Sequence, residues 1–191
     1  MARVQSVRFR AGEAADVGAI AALHADSWRR HYRGFHSDAY LDGDVGEDRL
    51  RVWSERFALE PSDRTFTVLA EDDEGLVGFT HVIFDADPRW GALLDNLHVR
   101  HDCKRQGVGS ELMARSGQAA VERATSLFLW VIEANVNARA FYEARGGRCV
   151  ERGTLDPPGG VAGRLAGEYF KLRMAWPDPS VLLPNVRTCT K

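Results

Sequence analysis

The chain has few of the features that mark several large classes of protein. Its three cysteines, Cys103, Cys149 and Cys189, form neither a Cys-x-x-Cys pair nor a cysteine–histidine spacing typical of metal sites. No uncharged apolar run approaches the ~20 residues that a bilayer crossing needs, and the first residues, MARVQSVRFR, lack the apolar core of a signal peptide. We therefore expect reduced thiols, no bound metal, no membrane association and a cytoplasmic location.

An excess of charge of one sign is also missing. The 25 Lys and Arg residues are nearly balanced by 27 Asp and Glu residues, for a net charge of −2. Without a uniformly basic surface, nucleic acid and anionic lipid are not expected partners. A chain of 191 residues is long enough for one packed core. We expect one domain over residues 1–176 and a C-terminal tail over residues 177–191 that contains three prolines.

What the chain does have is a regular alternation of strand-like and helix-like segments. Alternating or continuous apolar stretches predict seven strands, at about 4–13, 64–73, 75–87, 92–100, 126–134, 147–154 and 164–176. Apolar residues at helical spacing predict four helices, at about 15–32, 44–59, 108–125 and 137–145. The pattern predicts an α/β (α+β) domain. The Pro- and Gly-rich loop before the last strand is expected to be mobile.

The stretch HDCKRQGVGSELM, residues 101–113, places basic side chains and a Gly-x-Gly between a strand and a helix. The first N–H groups of a helix have no intrahelical partner and carry the positive end of its dipole, and glycine lets a phosphate approach the backbone. We expect the amides from Arg105 to Ser110 to define an anion site, with the side chains of Lys104 and Arg105 tuning affinity. Two glycines are also compatible with a mere tight turn.

Neither common nucleotide motif fits this stretch. A Rossmann fingerprint needs a small residue where Leu112 stands, and a P-loop needs a Gly-Lys-Ser/Thr ending that is absent. A GTP or NAD enzyme is therefore the least favoured of the phosphate-binding possibilities.

Two motifs resemble those of the GNAT acetyltransferase superfamily. The stretch LHVRHDCKRQGVGSELM is similar to the family's coenzyme A loop, Gln/Arg-x-x-Gly-x-Gly/Ala. The stretch LWVIEANVNARAFYEARGGR is similar to the strand and helix that follow, with Asn-x-x-Ala-x-x-Phe-Tyr-Glu. The resemblance covers roughly residues 5–176 and is sharpest over 94–147. It implies the GNAT fold, a mixed sheet splayed between the strands near 92–100 and 126–134, with acetyl-CoA as cofactor and its pantetheine arm in the gap.

Three positions depart from the family pattern. Lys104 stands where Gln or Arg is usual, and Gly147 replaces the Phe that usually follows the helix-ending glycine. Leu93 occupies a strand position at which some members carry a catalytic Glu, so the resemblance leaves the general base open.

The resemblance also implies the cofactor-binding residues. The backbone of Leu97, His98 and Val99 would bind pantetheine as a neighbouring strand would, and Asn135 would hold it from the other side. The expected loop ligands are Lys104, Arg105, Gln106, Gly107, Val108, Gly109 and Ser110.

Acyl transfer to an amine requires a neutral amine and a proton for the departing thiolate. Tyr142 is the expected general acid and thiol contact, because a phenol is protonated at neutral pH; the alternative is aromatic packing with Phe141. Asp95 is the candidate base, placed by strand alternation on the face of Leu93 and Leu97, and is equally compatible with a structural role at the strand end. Glu133 and His98 lie near the expected gap, and an amine with a lowered pKa needs no base.

The acceptor is expected to contact Trp28 and Tyr32, although residues spaced i, i+4 on a helix also pack readily into a core. His31, Tyr40 and Asp42 are further candidates, because aromatic faces and carboxylates suit a cationic amine. Cys103 is not expected to be a nucleophile, since it adjoins the phosphate loop and has no evident His/Asp partner.

These features predict an acetyl-CoA-dependent N-acetyltransferase that uses direct attack of a primary amine, from a small molecule or a peptide. The alternative is a weakly active or non-catalytic coenzyme A-binding sensor or scaffold of the same fold. A homodimer is a further expectation.

Overall fold

The computed structural model describes residues 6–59 and 63–184. Seven strands form one sheet in the order β1-β2-β3-β4-β5-β7-β6, and every neighbouring pair is antiparallel except β4 and β5, which are parallel. This mixed sheet confirms the predicted fold class. The strands are β1 (Arg8–Ala11), β2 (Thr65–Asp72), β3 (Gly75–Asp87), β4 (Gly91–Val99), β5 (Leu127–Ile132), β6 (Arg148–Thr154) and β7 (Phe170–Trp176).

Five α-helices accompany the sheet, one more than the sequence predicted. They are α1 (Val17–His31), α2 (Asp38–Asp42), α3 (Val45–Leu59), α4 (Val108–Glu122) and α5 (Val136–Glu143). The additional helix, α2, has five residues and is capped by Ser37, whose side chain accepts the Tyr40 N–H. A helix this short shows no full period of apolar residues, so only its cap marks it in the sequence.

The last strand begins at Phe170 and not near residue 164 as predicted. The preceding residues bond to the segment between α1 and α2: Ser37 N–H donates to the Arg164 carbonyl and Ala166 N–H donates to the Phe35 carbonyl, each over 2.9 Å. The β6–β7 loop, residues 155–169, is therefore attached to that segment, which differs from the expected mobility.

Helices cover both faces of the sheet. On one face, here the α1 face, Ile20 of α1 and Trp53 of α3 pack with Leu69 and Phe79 of the sheet. On the other, here the α4 face, α4 packs against β2 to β5. The short 3-10 turn Pro179–Leu182 also packs on α4, so the part of the tail that is described covers the domain.

The sheet opens between β4 and β5. These two strands pair only through Ala92 with Leu127 and Leu93 with Phe128. Beyond Leu93 the facing edges of both strands separate, as the resemblance predicts. The splay leaves a gap between β4 and β5.

A β-bulge interrupts β4 beside the gap. Leu94 lies opposite Val82 and Asn96 lies opposite His81, so Asp95 is the extra residue. A bulge reverses the alternation of side chains beyond it, and this one changes the predicted facing of β4.

Within residues 6–59 and 63–184, no helix is both long enough and apolar enough to span a bilayer.

Candidate active site

The first turn of α4 forms a cradle of main-chain N–H groups. Gly107 caps the helix at φ 88°, and Arg105 has φ 62°, both in the left-handed region. The first helical bond of α4 runs from Glu111 N–H to the Gly107 carbonyl. Within the described chain, the amides from Arg105 to Ser110 have no main-chain or capping partner. The turn can therefore accept an anion through its backbone.

Two of the loop's side chains are engaged with the protein itself. Lys104 Nζ lies 2.7 Å from Nε2 of His31 on α1, and Gln106 Nε2 donates to the Asp102 carbonyl over 3.0 Å. Burial lowers the pKa of Lys104, and burial together with the Lys104 charge lowers the pKa of His31. His31 therefore lies beside the loop that precedes α4.

The residue that sequence reasoning missed is Arg145, just beyond α5. Its guanidinium donates to Ser110 Oγ in the first turn of α4 and to the Phe141 carbonyl over 2.8 Å. No motif marks this position, because the contact joins segments 35 residues apart. Only the packing of α5 against α4 brings the two together.

The open edge of β4 is lined by the main chain of Leu97 and Val99. Arg100 N–H donates to the Val77 carbonyl on β3 over 2.7 Å. Main-chain groups of alternate residues in an antiparallel pair point to the partner strand, so those of His98 face Phe79 and those of Leu97 and Val99 face the gap. Of the three predicted pantetheine ligands, only Leu97 and Val99 therefore present main-chain groups to the gap, whereas those of His98 face β3.

Gly109 joins the anion cradle to this gap. A Cβ at Gly109 would lie 3.6 Å from Val99 Cγ2 and 3.7 Å from the Phe141 ring. The start of α4, the side chain of Val99 at the end of β4 and helix α5 therefore meet at one point.

Asn135 and Tyr142 come from the strand end and the helix on the far side of the gap. Asn135 caps α5, since its Oδ1 accepts the Ala138 N–H over 3.2 Å. Tyr142 packs against Phe141 and Trp176, with ring centroids 5.2 and 6.2 Å apart. Burial, and to a lesser degree the phenol of Tyr32, raise the pKa of Tyr142, so its hydroxyl stays protonated.

Asp95 projects to the α1 face, where its Oδ2 lies 2.6 Å from Nη1 of Arg56 on α3. Leu97 packs with the cores of the α4 face. The prediction that Asp95 and Leu97 share a face is therefore wrong, because the bulge at Asp95 reverses the alternation. Asn96 Nδ2 also donates to Asp95 Oδ2 over 2.5 Å.

The other two candidate bases are bonded within the protein. Glu133 is bound by Arg152 over 2.8 Å, and this hydrogen bond lowers the pKa of the carboxyl group. His98 Nδ1 lies 2.9 Å from Ser27 Oγ, and its ring lies 4.5 Å from that of His24. Burial lowers the pKa of His98 to about 3, so the imidazole is neutral at neutral pH.

The predicted acceptor residues Trp28 and Tyr32 are half-buried and lie against His36. The Trp28 and Tyr32 rings are 5.5 Å apart, and His36 lies 4.8 Å from the first and 5.1 Å from the second. Burial raises the pKa of Tyr32 to about 12 and lowers that of His36 to about 4. We call these three residues the aromatic wall.

Two further residues predicted to contact the acceptor, Tyr40 and Asp42, are bonded to other side chains of the protein. Tyr40 is buried and its hydroxyl donates to Asp48 over 2.6 Å. Asp42 is exposed and pairs with Arg33. Neither supplies a free carboxylate or hydroxyl to an acceptor at the aromatic wall.

The β6–β7 loop lies beside the aromatic wall. His36 forms a β-bridge with Leu165, and the Tyr169 hydroxyl donates to the Gly34 carbonyl. Arg164 Nη1 pairs with Asp48 of α3 over 2.9 Å. The loop and the α1–α2 segment are thereby held together beside the aromatic wall.

The cysteines take no part in this arrangement. Cys103 is buried, and burial raises the pKa of its thiol. Cys149 is exposed on β6, and Cys189 lies outside the described residues. Among the residues described, no group of three or more His, Cys, Asp or Glu side chains is placed to hold a metal ion.

The chain is similar in sequence to two proteins named as N-acetyltransferases. The chain is 26% identical over 181 residues to the uncharacterized N-acetyltransferase YuaI of Bacillus subtilis, covering 92% of this chain and 96% of that one. It is 28% identical over 141 residues to a probable N-acetyltransferase of Mycobacterium tuberculosis, covering 73% and 79% of the two chains.

Solved structures share the fold. The PaiA N-acetyltransferase of Thermoplasma acidophilum, crystallised with coenzyme A, superposes with a TM-score of 0.69 at 17% identity, covering 90% of this chain and 99% of that one. The ribosomal-protein-S18-alanine N-acetyltransferase of Escherichia coli gives a TM-score of 0.61 at 21% identity, with 91% and 94% covered. A profile of the acetyltransferase (GNAT) family matches residues 21–147. The chain therefore belongs to the acetyltransferase (GNAT) family.

Proposed function

We propose that this acetyltransferase moves an acetyl group from acetyl-CoA to a primary amine by direct attack, without a covalent enzyme intermediate. The observation that carries the proposal is the meeting of three features at Gly109: the unpaired amides of α4, the open edge of β4 and the helix that bears Tyr142.

The described residues fit coenzyme A. The amides from Arg105 to Ser110 would bind the diphosphate, because they are donors without an internal partner at the positive end of a helix. The main chain of Leu97 and Val99 would bond to the amides of the pantetheine arm along the open edge of β4. Asn135 would approach that arm from α5 through its Nδ2, since its Oδ1 caps the helix. When bound, acetyl-CoA supplies an acetyl group activated as a thioester.

Tyr142 is the proposed general acid. Its ring is fixed by Phe141 and Trp176, and its raised pKa keeps the phenol protonated over the working pH range. A fixed O–H donor stabilises negative charge that develops on a departing sulfur, and this stabilisation acts only as the charge forms. The proton lost by the amine ends on the thiol that leaves.

Asp95 remains the proposed proton acceptor, acting directly or through water. Its Oδ2 is held by Arg56 and Asn96, which fixes the carboxylate beside the gap. The aromatic wall supports a second route, in which desolvation lowers the pKa of the bound amine so that it enters neutral. Asp95→Asn separates the two routes, because it lowers turnover only if Asp95 accepts the proton.

A coenzyme A-binding sensor or scaffold is the alternative function. It is favoured by Leu93, which supplies no carboxylate where some relatives have a Glu, and by the commitment of Glu133 to Arg152. The acceptor would be a small molecule or a peptide amine that enters between the aromatic wall and the β6–β7 loop. The homodimer and the cytoplasmic location stay predictions.

A thiol-release assay separates the two functions. The protein is incubated with acetyl-CoA and, one at a time, polyamines, amino acids, aminoglycosides and peptides with free N-termini, with an amine-free reaction as control. At least one amine is expected to accelerate thiol release above the control. If acetyl-CoA binds, as measured by calorimetry, but no amine accelerates release, the sensor function replaces the transferase.

A further inference from the structure

Arg145 lies just beyond α5 and reaches the first turn of α4. Its guanidinium stacks on the Phe141 ring, 3.7 Å from the centroid, and donates to the Phe141 carbonyl and to Ser110 Oγ. The indole N–H of Trp176 donates to the main-chain carbonyl of Arg145 over 2.8 Å. The residue is therefore fixed at both its backbone and its side chain.

This position is electrostatically unfavourable for a cation by itself. The guanidinium adjoins the start of α4, where the helix dipole is positive, and the neighbouring amides are unpaired. Within the described chain no carboxylate forms an ion pair with Arg145, and burial lowers the pKa of its guanidinium. A charge that is partly desolvated, unpaired and next to other donors is expected to be compensated by an anion.

The guanidinium also retains donors for such an anion. Arginine carries five N–H donors in a planar fork that matches phosphate oxygens. The contacts to Ser110 and to the Phe141 carbonyl engage the two terminal nitrogens through one bond each. These contacts hold the plane of the fork at the amide cradle and leave further N–H groups for a ligand.

We propose that Arg145 is a diphosphate ligand, which binds coenzyme A from the turn after α5 while the amides of residues 105–110 bind it from the start of α4. The proposal rests on the proposed function, since it assumes that coenzyme A occupies the α4 cradle. In this arrangement α5 supplies the general acid, and the turn that follows it supplies a fixed charge for the cofactor. Cofactor binding would then bridge α4 and α5 across the end of the gap.

The test compares Arg145→Gln with the wild-type protein for three ligands by calorimetry: coenzyme A, dephospho-coenzyme A and inorganic diphosphate. Dephospho-coenzyme A keeps the diphosphate and lacks the 3′-phosphate. The variant is expected to lose about 10- to 100-fold in affinity for both cofactors alike, and to lose detectable binding of inorganic diphosphate. Unchanged affinity for all three would overturn the proposal, and a loss restricted to coenzyme A would reassign Arg145 to the 3′-phosphate.

Arg123→Gln is the matched control. Arg123 lies at the opposite end of α4, stacks on Phe84 at 4.4 Å and donates to the Asp63 carbonyl over 2.6 Å. Its replacement removes the same charge and the same kinds of contact far from the cradle, and is expected to leave the three affinities within twofold. An equal loss in Arg123→Gln would mean that net charge alone determines binding.

Arg145→Lys covers the case in which the glutamine variant does not fold. It keeps the charge but not the planar fork, and is expected to lose several-fold in affinity for both cofactors, with an unfolding temperature close to wild type. Wild-type affinity in this variant overturns a role for the fork. If the wild-type protein itself does not bind coenzyme A, the proposed function fails, and this outcome is distinct from failure of the Arg145 assignment.

Discussion

Replacing Gly109 tests whether the cofactor passes between α4, β4 and α5. A Cβ at this position would meet Val99 at 3.6 Å and Phe141 at 3.7 Å, which are ordinary van der Waals distances. An alanine therefore fits the folded protein without displacing either neighbour. In the proposed complex coenzyme A passes here from the amide cradle to the gap, and the added methyl group would occupy part of that passage.

The expected effects on stability and on binding have different signs. Gly is about 1 kcal/mol less favourable than Ala inside a helix, so Gly109→Ala is expected to keep or slightly raise the free energy of unfolding. For coenzyme A, we expect a loss of about tenfold in Gly109→Ala, or about 1.4 kcal/mol. The branched side chain in Gly109→Val fills more of the passage, and we expect a loss above about 100-fold, or about 2.8 kcal/mol.

Gly18 provides a matched control. It is the second residue of α1 and follows Val17, as Gly109 is the second residue of α4 and follows Val108. A Cβ at Gly18 meets no atom within 4 Å, so Gly18→Val changes a helix start without touching the site. Gly18→Ala completes the set. Urea unfolding and calorimetry with coenzyme A are measured on the wild type and on the alanine and valine variants at both positions.

Loss of affinity with retained stability in the Gly109 series alone supports the passage. Wild-type affinity and a wild-type unfolding curve in Gly109→Val would refute the passage. Coenzyme A would then bind although the valine side chain fills the space that it is proposed to cross. A collapse of stability in Gly109→Ala would instead contradict the space for a methyl group beside Val99 and Phe141.

Other substitutions and a pH series test the remaining roles. Tyr142→Phe is expected to lower kcat about 10²- to 10⁴-fold with little change in coenzyme A affinity, and unchanged turnover would remove the phenol from the mechanism. Asp95→Asn is expected to lower kcat about 100-fold; an unchanged kcat and pH–rate profile would favour an amine that enters neutral. Arg164→Met removes the ion pair that ties the β6–β7 loop to α3, and is expected to raise KM for the amine more than it lowers kcat. An unaltered KM would show that the loop takes no part in acceptor binding. Acid should destabilise the fold through three buried histidines. Burial holds their pKa near 3 or 4 in the folded protein, below the unfolded value of about 6.5. Because the unfolded chain binds protons first, the free energy of unfolding falls as pH drops below about 6.5. Each contributes a loss of about 1.3 kcal/mol between pH 7.5 and 5.5, and a flat urea-unfolding profile over that range would contradict the burial of His36, His81 and His98.

Local sequence predicted the elements that carry the amide cradle at the start of α4. The helix at α4 starts at Val108, directly after the glycine that the pattern places before it, since only a residue tolerant of positive φ suits the Gly107 position. The continuous apolar run of β5 likewise predicted a strand covered on both faces, and Leu127 to Leu129 are buried.

The features of the site that sequence reasoning missed depend on partners distant in the chain. The segment LLDNLHV alternates well enough to predict a regular strand, and its bulge at Asp95 exists only in the register with His81 and Val82 of β3. The ion pair between Asp95 and Arg56 likewise joins β4 to a helix distant in the chain. No local pattern reports either one.

One departure from the family motif is explained by the packing behind the site. Gly147 stands where a Phe is usual, and a Cβ there would lie 2.6 Å from Cζ2 of Trp176 and 3.0 Å from the Tyr142 carbonyl. Trp176, from β7, is buried in the space beside Gly147, so the ring that the motif lacks is replaced by one from another strand. The same indole contacts the Tyr142 ring and donates to the Arg145 carbonyl. Gly147 and Trp176 therefore act as a pair, and the glycine is what allows Trp176 to support both the proposed acid and the proposed diphosphate ligand.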